Sequence, residues 1–173
     1  MITIVCTTNR PESNSMKLSK IYARMLGDIG QECQILDMKA VQSNWILDSS
    51  YGPNTTEFDE IVGKYIRSVT KLIFITPEYN GSYPGYVKYF MDACDWGDFN
   101  GKKIALTGLA TGRSGNLRGL DHFTGLFHFL GSEVYSKKVY LSQVNHALSD
   151  QGELTNEITL KEIEAQLKGF VTF

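Results

Sequence analysis

The chain has 173 residues, of which 42% are hydrophobic, and its 17 basic and 19 acidic side chains give a formal net charge of −2. This length and composition predict a single globular domain over residues 1–173 and exclude an intrinsically disordered chain. The near balance of charge argues against a nucleic-acid-binding protein, since such a protein needs a basic surface to displace counterions from phosphates.

Two kinds of apolar pattern alternate along the chain. Short apolar runs, rich in β-branched residues, predict strands, and apolar residues spaced three and four apart predict amphipathic helices. The predicted strands cover residues 2–6, 33–36, 72–75, 104–109 and 134–141. The predicted helices carry apolar stripes over residues 18–26, 58–66, 87–94, 120–127 and 158–167. A polar loop is predicted from the second strand through residue 54, and Pro84 suits the first turn of the third helix.

The predicted strands are apolar on both faces, which is typical of a parallel sheet covered by helices on both sides. Five strands that alternate with five helices predict an α/β protein with a flavodoxin-like, doubly wound five-stranded sheet of order 2-1-3-4-5. Ligands of such sheets bind beyond the carboxyl ends of the strands, where the winding reverses. The loops after the first, third and fourth strands are therefore the candidate sites.

The first of these loops, residues 7–15, gathers hydroxyl, amide and guanidinium groups at the start of a helix. Free N–H groups and the positive end of the helix dipole favour an anion there, and Arg10 can bind a phosphate through two hydrogen bonds. The alternative is that Ser13 or Ser15 only caps the helix. The loop contains neither GxxxxGK[ST] nor GxGxxG, which argues against a P-loop NTPase and a Rossmann dehydrogenase.

The other two loops combine glycine with polar and aromatic side chains. In residues 76–85, Tyr79 and Asn80 offer a surface for a planar ring, while the alternative is an ordinary turn in which Asn80 and Gly81 adopt positive φ. In residues 110–116, two glycines allow close approach of the backbone to a ligand. The alternative for that loop is a helix cap at Ser114 or Asn116.

The cysteines and histidines indicate no additional site. Three cysteines without a CxxC pair predict neither a disulfide framework nor a structural zinc site, and the three histidines lack metal-ligand spacing. No apolar run approaches the ~18 residues of a membrane helix, and the first apolar run has no basic leader. We therefore expect a reduced, cytoplasmic protein without a metal or a membrane segment.

Taken together, these loops resemble the NADPH-dependent FMN reductase family, which includes flavodoxin-like quinone, azo and chromate reductases. The resemblance rests on Thr7-Thr8-Asn9-Arg10 with Ser13, and on residues 76–85 (TPEYNGSYPG) with Lys88 and Asp92. It extends at lower definition from residue 1 to about residue 145. The chain departs from the usual family pattern in having Thr7-Thr8 in place of Gly-Ser, Ser15 in place of Asn, and Asn116 in place of the second glycine of a pair.

The resemblance implies an FMN site with three parts. The phosphate would be held by Thr8, Arg10, Ser13 and Ser15. The isoalloxazine and ribityl chain would be bordered by Pro77, Glu78, Tyr79 and Asn80, with Gly81 supplying positive φ. The pyrimidine side would be approached by Thr111, Gly112 and Gly115.

The resemblance also implies an enzyme in which NADPH or NADH transfers a hydride to flavin N5. The electrons would then pass to a quinone, azo compound, metal oxyanion or free flavin, and no side chain need be catalytic. The resemblance, together with the aromatic residues Trp45, Tyr51, Tyr83 and Tyr86, implies a homodimer or homotetramer. Two alternatives stay open at this point: a flavodoxin-like electron carrier without NAD(P)H turnover, and a non-enzymatic scaffold that has lost flavin.

Overall fold

The computed structural model, which describes residues 1–149 and 151–173, contains a parallel sheet covered by helices on both faces. Its strands are β1 Ile2–Cys6, β2 Cys33–Asp37, β3 Lys71–Pro77, β4 Lys103–Leu109, β5 Glu133–Val134 and β6 Val139–Leu141. They are ordered β2-β1-β3-β4-β5. The short strand β6 also pairs with β4, at residues 107–109, whereas β5 pairs with residues 103–104 of the same strand. The predicted fold class and strand order are confirmed, and a sixth strand is added.

Helices follow the strands much as the apolar stripes predict. They are α1 Asn14–Asp28, α2 Ser43–Ser49, α3 Thr56–Val62, α4 Gly85–Ala93, α5 Leu117–Phe129, α6 Val144–Ala147 and α7 Glu157–Thr172. The prediction of an uninterrupted polar loop through residue 54 is wrong, because α2 forms there. This helix of seven residues buries Ile46 and Ser49, too few positions for an amphipathic repeat. None of the helices in the described part of the chain is long and apolar enough to cross a membrane.

The fifth predicted strand, residues 134–141, is divided into β5 and β6 by a buried side chain from α7. The Gln166 side-chain amide donates to the carbonyls of Leu106 at 3.0 Å and Lys137 at 2.9 Å, and so bridges β4 and the chain between the two short strands. The Tyr22 hydroxyl on α1 donates to Gln166 Oε1 at 2.8 Å. Side-chain hydrogen bonds thus replace ladder bonds at this point, which the apolar pattern could not indicate.

Each face of the sheet has its own apolar core. On one face the rings of Phe74, Phe123 and Phe127 have centroids within 5.3 Å of one another, and on the other face Tyr22 and Phe170 are fully buried. Burial of this kind is the main stabilising term of the fold. The two cores hold the strands rigidly, so the loops at the strand ends have fixed starting points.

Candidate functional site

Four loops meet at the carboxyl ends of the strands, those that follow β1, β3, β4 and β6. They surround a cavity of about 490 Å³, a volume within the usual range for cofactor sites. The cavity is lined by Arg10, Pro11, Glu12, Ser13, Asn14, Ser15, Pro77, Glu78, Tyr79, Leu109, Ala110, Thr111, Val144 and Asn145. The structure therefore brings together seven of the twelve predicted site residues, which are Arg10, Ser13, Ser15, Pro77, Glu78, Tyr79 and Thr111.

The first loop divides its serines between two roles. Ser13 is the N-cap of α1, since its hydroxyl accepts a hydrogen bond from the Met16 N–H at 3.2 Å. Ser15 is only 1% exposed, and its hydroxyl has no hydrogen-bond partner among the described residues although the residue lines the cavity. Arg10 is exposed, and no described carboxylate forms an ion pair with it. The loop therefore offers a cation and a buried hydroxyl that lack partners.

Thr8, the other predicted phosphate ligand, connects two loops and is absent from the cavity lining. Its hydroxyl lies 2.8 Å from the Tyr79 hydroxyl and accepts a hydrogen bond from the Arg10 backbone N–H at 3.2 Å. Thr7, which stands where the family has glycine, is buried and donates from its hydroxyl to the Ile75 carbonyl at 3.1 Å. Both threonines thus shape the first loop against β3 and the loop that follows it.

The second loop contains a tight turn. The N–H of Tyr79 donates to the Ser82 carbonyl at 2.9 Å, and the N–H of Ser82 donates to the Tyr79 carbonyl at 3.1 Å. Between them Asn80 and Gly81 have φ of 52° and 78°, which confirms the expected positive φ and is the requirement of a type I′ turn. Asn80 and Gly81 lie beyond the cavity lining, while the Ser82 hydroxyl is 2.9 Å from His122 Nδ1 on α5.

The third loop is held to the second by two side chains. The Asn116 amide donates to the Thr76 carbonyl at 3.0 Å, and the Ser114 hydroxyl donates to the Glu78 carboxylate. Asn116 occupies the N-cap position of α5, as expected, but its side chain makes no capping hydrogen bond to the helix. Gly115 is packed against β6, where an added Cβ would lie 2.8 Å from the Tyr140 carbonyl carbon. Neither Gly112 nor Gly115 lines the cavity.

A fourth loop, after β6, completes the cavity and was not predicted. The N–H of Gln143 donates to the Gly112 carbonyl at 2.8 Å, and the N–H of Val144 donates to the Ala110 carbonyl at 3.0 Å. Val144 and Asn145 line the cavity. The available signal was positional: the polar pair Ser142-Gln143 directly follows the fifth predicted strand and so had to lie at the same edge.

Backbone strain and unpartnered polar atoms both concentrate at this edge of the sheet. Among the described residues, the non-glycine positions with positive φ fall one in each loop: Glu12, Asn80, Asn116 and Gln143. The buried side-chain atoms without a hydrogen-bond partner are Ser15 Oγ, Thr76 Oγ1 and Asn116 Oδ1. Strain and unsatisfied polar groups are costly and are typical of binding sites, which makes the four loops the candidate ligand site.

Cys6 ends β1 beneath the first loop and is not positioned to react. It is fully buried, its sulfur lies 3.9 Å from the Ser13 hydroxyl, and burial raises the pKa of the thiol to about 11. The thiol is therefore protonated at neutral pH, which removes its nucleophilic form. Cys6 is thus a core residue beneath the loop.

Known proteins resemble this chain in sequence and in fold. The family model for NADPH-dependent FMN reductase matches residues 1–146. The NAD(P)H-dependent FMN reductase of Pseudomonas aeruginosa is 34% identical over 110 residues, which are 60% of this chain and 58% of that protein. The quinone reductase of Escherichia coli is 29% identical over 122 residues, which are 66% of this chain and 63% of that protein. The match thus spans less than two-thirds of either relative.

A solved structure shows the same fold over nearly the whole chain. The flavoenzyme NAD(P)H:(acceptor) oxidoreductase from Paracoccus denitrificans superposes with a TM-score of 0.82 at 22% identity, covering 99% of this chain and 94% of that one. At this identity the likeness concerns the fold alone.

Proposed function

The chain belongs to the NADPH-dependent FMN reductase family, and on that premise we propose that it is an NAD(P)H-dependent flavin oxidoreductase whose electrons pass to a quinone. The observation that carries the proposal is the buried hydroxyl of Ser15, which has no partner among the described residues, on a residue that lines the same cavity as Arg10, whose guanidinium forms no ion pair with a described carboxylate. Both groups favour an anionic ligand at the start of α1. The phosphate of FMN is such an anion.

The residues present fit FMN. Arg10, Ser15 and the free N–H groups of the first turn of α1 would hold the phosphate. Pro77, Glu78 and Tyr79 form a continuous wall of the same cavity, and they would border the ribityl chain and the ring. The substitution of threonine for glycine at position 7 leaves the cavity open, because the Thr7 side chain is turned into the core and bonded to β3.

When bound, FMN supplies a hydride acceptor at N5 and passes electrons on to a second substrate. The chain's own part in that chemistry is to hold the ring and to place donors along its edge. The two hydrogen bonds of the Tyr79–Ser82 turn do not use the N–H groups of Asn80 and Gly81. Asn80 and Gly81 lie next to Tyr79 but outside the cavity lining, so these two donors would meet the N5 edge only of a ring that extends past Tyr79. The loop of residues 110–116 would supply donors to the pyrimidine side, where charge accumulates on reduction.

A quinone is the acceptor that the relatives favour, since a quinone reductase is among them. Azo compounds, metal oxyanions and free flavin are reduced by the same two-electron chemistry and are the other acceptors to test. A reduced, cytoplasmic setting is part of the proposal, since a chain with three cysteines and no CxxC pair has no disulfide framework in its sequence.

We also propose a homodimer in which α4 and α5 meet their counterparts. Of the four aromatic residues that motivated this prediction, Tyr83 is only 7% exposed, Trp45 and Tyr86 are half-buried, and Tyr51 alone is highly exposed, at 96%. A groove between α4 and α5 offers a better surface, since it is mostly apolar and ends at Phe129, whose side chain is 82% exposed. Light scattering should report a dimer, and Phe129→Asp should shift it toward the monomer. A wild-type monomer with full activity would refute this part.

The decisive experiment is a flavin titration followed by steady-state turnover. We expect FMN to bind the purified protein, and NADPH or NADH oxidation to depend on both FMN and 1,4-benzoquinone. Binding of FMN without NAD(P)H turnover would instead identify an electron carrier. Absence of FMN binding would identify a scaffold that has lost flavin.

A further inference from the structure

We propose that Asn145, in the loop after β6, is a further cofactor-binding residue that contacts the phosphate end of FMN together with Asn14. The inference rests on the proposed flavin site and extends it to a segment that the family motif does not include. It follows from where the loop is fixed, what Asn145 contacts and which of its atoms lack partners.

The loop after β6 is fixed rigidly to the loop after β4. Two backbone hydrogen bonds join them, from Gln143 to Gly112 and from Val144 to Ala110. Gln143 also adopts a left-handed conformation with φ of 49°, which is unfavourable for a residue with a Cβ. Such strain persists only where surrounding contacts impose it, so the side chain of Asn145 has a defined starting point two residues later.

Asn145 is attached to the first turn of α1. Asn14 Nδ2 donates to Asn145 Oδ1 at 3.1 Å, across 131 positions of sequence. Asn14 lies between Ser13 and Ser15, and all three residues line the cavity together with Asn145. The amide of Asn145 is therefore at the end of the cavity where α1 begins, which is the phosphate end.

The atoms left over on Asn145 suit an anion. Its Oδ1 is engaged by Asn14, while its Nδ2 makes no hydrogen bond to any described residue. Three separate segments would then direct donors at one phosphate: Arg10 from the first loop, Ser15 from α1 and Asn145 from α6. These three donors would also offset the negative charge of the Glu12 carboxylate, which lines the same cavity and would repel a phosphate.

The test compares FMN with riboflavin, which lacks the phosphate, in binding titrations followed by flavin fluorescence. We expect Asn145→Ala to weaken FMN binding about tenfold, the effect of losing a hydrogen bond to a charged group, and Asn145→Asp to weaken it further by repulsion. Riboflavin affinity should be unchanged in both variants. Asn44→Ala, at an exposed position on α2, is the matched control and should bind both flavins as the wild type does.

Thermal unfolding of the FMN-free proteins separates binding from folding. Asn145→Ala should unfold at the wild-type temperature, because the Asn14–Asn145 contact is exposed. Unchanged FMN affinity in both variants, or an equal loss of affinity for FMN and riboflavin, would overturn the inference. A wild-type protein that binds no flavin would overturn the proposed function itself, whereas wild-type binding with insensitive variants overturns only the role of Asn145.

Discussion

The two ends of the sheet are built differently. At the amino ends of the strands, the turns that need positive φ use glycine, at Gly30, Gly101 and Gly131. The lysines there donate to backbone carbonyls: Lys71 to those of Phe170 and Val171, Lys102 to that of Val69, and Lys103 to that of Phe173. The turns therefore avoid backbone strain and the three lysines have hydrogen-bond partners, so the amino end of the sheet stabilises the fold.

At the carboxyl ends of the strands, residues other than glycine also adopt positive φ, and some polar groups have no partner among the described residues. Besides Gly81 and Gly115, four residues that have a Cβ carry positive φ there, and buried polar atoms such as Ser15 Oγ lack partners among the described residues. Arg10 is unpaired, whereas Arg24 and Arg67, elsewhere in the chain, are bonded to carboxylates. One end of the sheet is therefore fully bonded, as folding alone requires, whereas the other retains unsatisfied groups that a ligand could bind.

The largest effect is expected at the amino end. Gly131→Val should lower the free energy of unfolding by about 2–3 kcal/mol, because φ is +74° there and an added Cβ would lie 2.5 Å from Asn100 Oδ1. Urea unfolding measures the loss, and FMN affinity of the folded protein should not change. Gly27→Val is the control, since Gly27 has ordinary φ and no atom within 4 Å of an added Cβ. Weaker flavin binding in folded Gly131→Val would show that the amino end of the sheet also contributes to the flavin site.

The buried thiol of Cys6, at the end of β1 beneath the first loop, makes stability depend on pH. Because burial raises the pKa of its thiol from 9.0 to about 11, the folded protein holds a proton that the unfolded chain releases. The resulting stability is complete below pH 9.0 and is lost as pH rises through about 11, by about 2–3 kcal/mol. Urea unfolding at pH 8 and pH 11 should show a smaller decrease in Cys6→Ala than in the wild type. Equal decreases would show that the thiol titrates normally.

Arg10 should affect binding without affecting folding, the opposite of Gly131. Arg10→Ala should weaken FMN binding by about 1.5–3 kcal/mol, because a hydrogen bond to a charged group is lost. The free energy of unfolding should stay the same, because the side chain has no carboxylate partner to lose. Calorimetric titration measures the affinity, and Arg24→Ala, which loses an exposed ion pair away from the site, is the matched control. Equal FMN affinity in Arg10→Ala and the wild type would remove the phosphate from this loop.

Gly81 tests whether the Tyr79–Ser82 turn meets the ring. Gly81→Val places a β-branched residue at φ of +78°, although no atom lies within 4 Å of the added Cβ, so its cost of about 1–2 kcal/mol is one of conformation alone. We expect retained FMN affinity, a shifted flavin reduction potential and loss of most NAD(P)H turnover. A folded, flavin-loaded variant with unchanged potential and turnover would show that the turn lies away from the ring.

The sequence predicted the sheet and three of the four loops, but it missed the fourth, for a physical reason. Apolar periodicity reports burial, and it located β1, β3 and β4 because both of their faces are buried. It could not report that Gln166, a polar residue on a helical stripe, inserts beside β4 and divides the last strand. Nor could it report positive φ at Gln143, since glutamine has no preference for that conformation. Nor could it report that Asn145 contacts Asn14, 131 positions away, and lines the same cavity.

The smallest effect is expected at Gln143, and it has the opposite sign. Gln143→Gly should raise the free energy of unfolding by about 1 kcal/mol, because glycine adopts φ of 49° without the steric cost of a Cβ. The same substitution frees the loop after β6, so the protein should hold Asn145 less firmly and discriminate FMN from riboflavin less sharply than the wild type, by a few-fold. Urea unfolding of the flavin-free protein and paired flavin titrations measure the two effects.

Gln151→Gly, which changes the same residue type beyond the cavity lining, should leave the discrimination between the two flavins intact. A less stable Gln143→Gly protein would mean that its left-handed backbone is no source of strain, and the contrast between the two ends of the sheet would then rest on the unpartnered polar groups alone.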